Sequence, residues 1–234
     1  PTIWDSGTVP TTGSNIVIED FDDILLDVNA DVNNVAITDN GDLFFSADGA
    51  VTLTVRGDIT MGSNTRFRPS NSATGSFVRH TLLLEGDLTG IGEVDFRRGS
   101  NGSGTSAGSD VTFQGTRNST VDLTGAATAR LLATFSPIGR GNEFNSITFA
   151  KTGSGRVILR SSIESSNNNS VGAATCAFNG GVVEVADGQA LVCASSISSA
   201  VSQGDTGSYV IGTFGRGLGN GGRTTPTFFV GDET

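Results

Sequence analysis

The chain is short of the residues on which most metal and nucleophilic chemistry depends. Its 234 residues include one histidine (His80), one lysine (Lys151), one tryptophan (Trp4) and two cysteines (Cys176 and Cys193). One His and two Cys cannot build a four-ligand zinc site. No apolar run reaches the roughly 18 residues of a membrane span, and no basic-then-apolar opening reads as a signal peptide. Fourteen Lys and Arg stand against 24 Asp and Glu, a net charge of −10. That balance lacks the basic footprint a general nucleic-acid binder needs. Neither nucleic acid nor membrane insertion is therefore expected. No GxSxG elbow, phosphate-binding loop or carboxylate pair at a recognisable spacing occurs. No catalytic residue is assigned, although the carboxylates are numerous enough for a pair to meet on folding.

What the chain does have is glycine, 33 residues of it, far above the usual share of about 7%. Between the glycines, Val, Ile, Leu and Phe recur in short bursts, the composition of many short strands. VTLTVRGDITMGSNTRFR (51–68) aligns without a gap on HTLLLEGDLTGIGEVDFR (80–97), an offset of 29 residues, and DVTFQGT (110–116) begins a third copy. Looser copies are NNVAITDNGDLFFSADG (33–49), NSITFAKTGSGRVIL (145–159) and GGVVEVADGQALVCA (180–194). A self-similar period of 20 to 50 residues marks a repeat architecture. Within each copy apolar residues alternate as they do in a strand: Val51, Leu53 and Val55 on one face, Thr52, Thr54 and Arg56 on the other. One copy cannot bury its apolar face alone, whereas parallel stacking builds a continuous core. The expected fold is all-β, a parallel β-helix or solenoid.

The register predicts roles for individual residues. Arg56-Gly57-Asp58 matches an animal cell-attachment signal, but position 56 becomes Glu85 and Gln114 in later copies while the glycine stays. We read it as a strand running into a glycine corner, with Arg56 beside Glu85 and, likewise, Arg66 beside Asp95. The loops 69–79 and 98–109 both leave after a Phe-Arg pair and should project from one edge. This edge gathers Arg66, Arg68, Arg79, Arg97 and Arg98. They suit an acidic polysaccharide or phosphate-bearing glycan, or else they answer Glu93 and Asp95. His80 aligns with Val51, which favours a structural ring, and Lys151 is expected to be a surface lysine. Glu19, Asp20, Asp22, Asp23 and Asp27 fall within nine residues. They supply the oxygen ligands that Ca²⁺ takes, as do Asp39, Asn40, Gly41 and Asp42. Neither spacing fits an EF-hand loop, and a solvated acidic face is the expectation. No cofactor is assigned.

Three segments emerge: an N-terminal cap with the first strands (1–32), with Trp4 closing the core; repeat coils (33–200); and a Gly-rich, irregular C-terminal segment (201–234). The last leads into a further domain or is covered by another chain. Because the chain opens at Pro1 without Met, a processed or excised segment is expected. Cys176 and Cys193 sit in strand-like runs separated by Gly-Gly and Asp-Gly. They are either two buried thiols in a reducing compartment or a disulfide. We favour the disulfide, worth roughly 3 kcal/mol for a loop near 15 residues.

The opening IWDSGTVPTTGSNIVI resembles the first segment of secreted bacterial β-helix proteins. LTVRGDITM, LLLEGDLTG, FQGTRNSTVDLTG and FNSITFAKTGSGRVIL resemble coils of large cell-surface, adhesin-like proteins of the Bacteroidota, and SYVIGTFGR with TPTFFVGDET is similar to an element found there. The resemblance implies a right-handed parallel β-helix, export of the type IX kind, and a cell-surface role in adhesion or gliding. It implies a non-catalytic structural module whose partners are other domains of its parent protein. The alternative is a polysaccharide-degrading β-helix enzyme, a lyase or hydrolase, since fold alone does not decide.

Overall fold

The structure, a computed structural model, describes residues 9–46, 48–70, 78–96, 107–123, 142–165, 175–193, 201–202 and 207–216. Among these residues every regular element is a strand, and neighbouring strands run parallel. Numbered in chain order, one sheet, which we call A, holds β1 (Asn15–Ile18), β4 (Asn34–Ile37), β7 (Ile59–Met61), β10 (Leu88–Gly90), β13 (Ser119–Leu123), β16 (Arg156–Leu159), β19 (Val182–Val185) and β21 (Val210–Ile211). Sheet B holds β2 (Asp23–Leu26), β5 (Asp42–Phe45), β8 (Arg66–Pro69) and β11 (Glu93–Val94). Sheet C holds β3 (Ala30–Val32), β6 (Thr52–Val55), β9 (Arg79–Leu84), β12 (Gly108–Gly115), β15 (Ser146–Lys151) and β18 (Cys176–Gly180). Sheet D holds β14 (Glu143–Phe144), β17 (Ile163–Ser165), β20 (Leu191–Cys193) and β22 (Phe214–Arg216), and the bridge Asp95–Glu143 ties it to B. The chain thus visits A, then B or D, then C, and returns to A beside its previous strand. The arrangement is β-helix-like.

The period-two pattern explains why these runs are strands. In β9 the burial alternates, with His80, Leu82 and Leu84 inside and Arg79, Thr81 and Leu83 turned outward. The expected offset of 29 residues holds where Thr52 meets Thr81, Ile59 meets Leu88 and Leu82 meets Val111. It does not hold throughout. Ile16 pairs with Val35, Val35 with Ile59 and Leu88 with Val121, so successive circuits differ in length. Phe67 pairs with Val94 rather than with Phe96. The reason is physical: the strands must match, while the corners between them can absorb any number of residues.

Two aromatic columns run through the core. Phe45, Phe67, Phe96 and Phe144 contact in sequence with centroids 5.3, 4.7 and 5.6 Å apart. Phe113, Phe149, Phe178 and Phe214 follow at 5.8, 5.3 and 5.9 Å. Such contacts contribute about 0.5–1.5 kcal/mol each beyond simple burial.

Three expectations are corrected. Lys151 is not at the surface: it is buried, and its Nζ donates to Glu85 O (3.0 Å) and Gln114 O (2.6 Å), reaching back across two circuits. The cysteines are unbridged and buried, and they lie in β18 and β20 of different sheets, with β19 between them in the chain. They meet across the core, where the Cys176 thiol is hydrogen-bonded to Cys193 and burial raises its pKa well above the usual thiol value. Arg66 pairs with Asp42, because sheet B places those residues opposite one another, whereas Asp95 bridges to Glu143. Within the C-terminal segment β21 and β22 pair with β19 and β20, while residues 203–206 and 217–234 lie outside the described residues. Trp4 lies outside the described residues.

Candidate functional site

The corner through which the chain enters sheet A is built from side chains that accept hydrogen bonds from the next circuit. Asn34 Oδ1 accepts the N–H of Asp58 (2.7 Å), Asp58 Oδ1 that of Asp87 (2.9 Å), and Asp87 Oδ1 that of Thr120 (2.7 Å). The repeated Gly-Asp pair follows from this ladder. A Cβ on Gly86 would overlap Gly57 O and the Asp58 carboxylate, and one on Gly57 would overlap the Asn34 side chain. All three members of Arg56-Gly57-Asp58 are engaged in the fold. Arg56 binds Asp31 (2.7 Å) and reaches Glu85 (3.4 Å), as its register predicts, and Arg117 binds Asp58 (2.7 Å). The Arg56 hydrogen bond holds the Asp31 carboxyl below its usual pKa.

The arginine edge is split. Arg66 and Arg68 lie on the outer side of β8, while Arg79 opens β9 on the adjoining sheet. Arg66 donates to Asp42 through Nε (2.8 Å) and Nη2. Those bonds raise its pKa, with added support from Asp23 and Glu93. Arg79 is held by Asp110 and by Ser146 Oγ (3.2 Å). The Arg68 guanidinium lies 5.1 Å over the Phe44 ring, and it forms no ion pair among the described residues. Arg97 and Arg98 fall outside the described residues. The segments 71–77, 97–106, 166–174 and 194–200 all connect a strand of B or D to sheet C, so their points of departure share one corner.

His80 is fully buried, 4.9 Å from the Phe45 ring, with the Val51 N–H directed at Nδ1 (3.2 Å). A backbone N–H can only donate, so Nδ1 is the unprotonated nitrogen and the hydrogen sits on Nε2. Ser109 is its register neighbour. With Nε2 already protonated, the ring cannot act as base toward that serine. Burial lowers the His80 pKa to about 4. At Lys151, burial and the nearby Arg117 lower the pKa to about 8. Both side chains are buried in the fold. Among the described residues no three His, Cys, Asp or Glu side chains converge as a metal ligand set.

The acidic stretches are not gathered around a centre either. Asp20 accepts from Asn40 (2.7 Å) and Asp39 from Ser63 N–H (2.7 Å), both in stacked turns. What unites the site is therefore glycine, at corners where a neighbouring circuit leaves no room for a side chain. The G8 domain matches residues 3–125, just over half of the chain. The chain belongs to the G8 domain family. No curated protein and no solved structure matches it. G8 domains are typical of extracellular proteins, in keeping with the extracellular location expected from the sequence. The G8 match covers the Gly57-Asp58 and Gly86-Asp87 corners, Arg66, Arg68 and Arg79. It ends before sheet D and the two cysteines begin.

Proposed function

We propose that this G8 chain is a non-catalytic structural and adhesive module of a larger bacterial surface protein. In this reading the four sheets close as a right-handed parallel β-helix, capped within residues 1–32, that holds neighbouring domains away from the cell. Export of the type IX kind, and partners within the same parent protein, belong to the same reading. The observation that carries it is the uninterrupted ladder of sheet A from β1 to β21, reinforced at each early corner by a side chain bonded to the next circuit. Stiffness is what a stalk requires. Arg68 over Phe44, with Arg66 beside it and Arg79 across the corner, is the surface that would touch an acidic glycan.

A second reading has its own observation. Asp95 bridges to Glu143 and Glu143 pairs with Glu164, a line of carboxylates on the side of sheets B and D that also carries Arg68. A polysaccharide-degrading enzyme would use such a line. One assay separates the two: a panel of acidic and neutral polysaccharides tested for binding and for chain cleavage, with wild type against Arg66→Ala/Arg68→Ala. Binding without cleavage, lost in the variant, supports the adhesive module. Cleavage abolished by Glu164→Gln would replace it with the enzyme. No binding would remove the glycan and leave the stalk.

A further inference from the structure

The outer face of sheet A carries a shallow trough of about 620 Å³, lined by Asp20, Ala36, Thr38, Asp39, Thr60 and Thr89 among others. Its floor is one register row, Ala36–Thr60–Thr89 of β4, β7 and β10, which Val17 of β1 continues beyond the trough. The trough stays open because Gly62 and Gly90 line its side. A Cβ on Gly90 would overlap Met61 O, so that position stays bare.

Large apolar side chains stand exposed at both ends, Val17 (58%) and Phe21 (79%) at one and Ile91 (50%) at the other. Phe21 adopts φ +65°, the left-handed conformation that Asn40 and Asn64 take in the next two circuits. Asparagine tolerates it, whereas a bulky residue there is strained. An aromatic ring held in a strained turn and left in water does nothing for the core.

The charge here is one-sided. Elsewhere Asp31, Asp42, Asp58, Asp110 and Glu184 each have an arginine. Among the described residues no Lys or Arg forms an ion pair with Glu19, Asp20, Asp22 or Asp39. The rim would repel an acidic glycan and attract a cation-bearing chain.

We propose that this trough is a docking surface for an extended segment of a partner protein that alternates basic and apolar side chains. Three inter-strand spacings of about 4.8 Å put the row from Val17 to Thr89 at roughly 14 Å, the reach of about four extended residues. Apolar side chains of one face rest on Val17 with Phe21 and on Ile91, and the Lys or Arg side chains that alternate with them fold over the rim to Asp20 and Asp39. The inference is independent of the glycan reading, which concerns the opposite charge on another sheet.

The test is fluorescence anisotropy with labelled KVKVKV and EVEVEV peptides, on the intact chain. The expected result is binding of the basic peptide only, weakened on raising salt from 50 to about 300 mM. Asp20→Asn/Asp39→Asn keeps both acceptor oxygens, so the turns persist, and should weaken binding at least tenfold. Thr60→Arg, which fills the floor, should abolish it, while Arg66→Ala/Arg68→Ala should leave it unchanged. Equal binding of the two peptides, or binding indifferent to Thr60→Arg, would overturn the proposal. So would a neutral oligosaccharide binding here in place of the peptide, since the trough would then be a glycan site.

Discussion

The two ends of the sheet A strands are made from similar residues and behave differently. At the entering corner Asp58 and Asp87 are bound by the next circuit, and Arg56, Arg117 and Lys151 lie close by. At the leaving corner Glu19, Asp20 and Asp39 face water with Phe21 among them, and no described cation pairs with them. An acid that is answered within the chain is part of the scaffold. Asp39 also holds the Ser63 N–H of the next circuit, but its charge, like that of Asp20, meets no described cation and stands beside the exposed Phe21, available to something else. The third corner, between sheets B or D and sheet C, varies in length from circuit to circuit, while the longest single connection, from Leu123 to Glu143, joins sheet A to sheet D.

The comparison can be broken most forcefully at the entering corner. Gly86→Ala pushes a methyl into Gly57 O and the Asp58 carboxylate. A loss of about 3 kcal/mol or more is expected, measured by urea unfolding, against almost none for Gly49→Ala, where the added carbon meets nothing.

Acid should act next, through the core. Because the His80 pKa falls to about 4 in the folded chain, the unfolded chain binds the extra proton between pH 6.5 and 4. Stability therefore declines as pH falls through that window, by up to about 3 kcal/mol. Melting curves of wild type and His80→Gln should converge toward pH 4; parallel curves would remove this account. Lys151 gives a slope of the same sign in a higher pH window. Its folded pKa of about 8 lies below the unfolded value, so stability rises from pH 8 toward 10.5. Lys151→Met should flatten that rise while leaving Glu85 O and Gln114 O without their donor.

Smaller still is Asp58→Ala, which leaves the Asp87 N–H without its acceptor at a cost of about 1–2 kcal/mol. At the leaving corner Asp20→Asn should not shift the melting temperature measurably. If it destabilised as much as Asp58→Ala, the distinction between the two corners would fail.

Part of this could be read directly from the residues. Alternation of Val51, Leu53 and Val55 marks an inward face because a strand repeats every two residues. The 29-residue offset was visible because several circuits of sheet C share it, and Arg56 with Glu85 followed from it. What escaped was whatever depends on unequal circuits. Arg66 meets Asp42 and not Asp95, since its nearest carboxylate lies one circuit back at a different spacing. Lys151 looked like a surface residue because its acceptors are backbone carbonyls, which carry no sequence signature. The cysteines looked adjacent in the chain, but β19 intervenes and they meet only across the interior. The repeated Gly-Asp pair was noticed as a corner. Its carboxylate's work, holding the following circuit, is visible only once circuits are stacked.

The first aromatic column also crosses the place where the G8 match ends. Phe96 lies before residue 125 and Phe144 after it, yet their rings touch, and Val121 pairs with Leu159 over the same interval. A family boundary is here no seam in the material. Under load or heat the chain should give way as one cooperative body, and a cut after residue 125 would leave the open edges of β12 and β13 bare, ready to take up strands from another molecule.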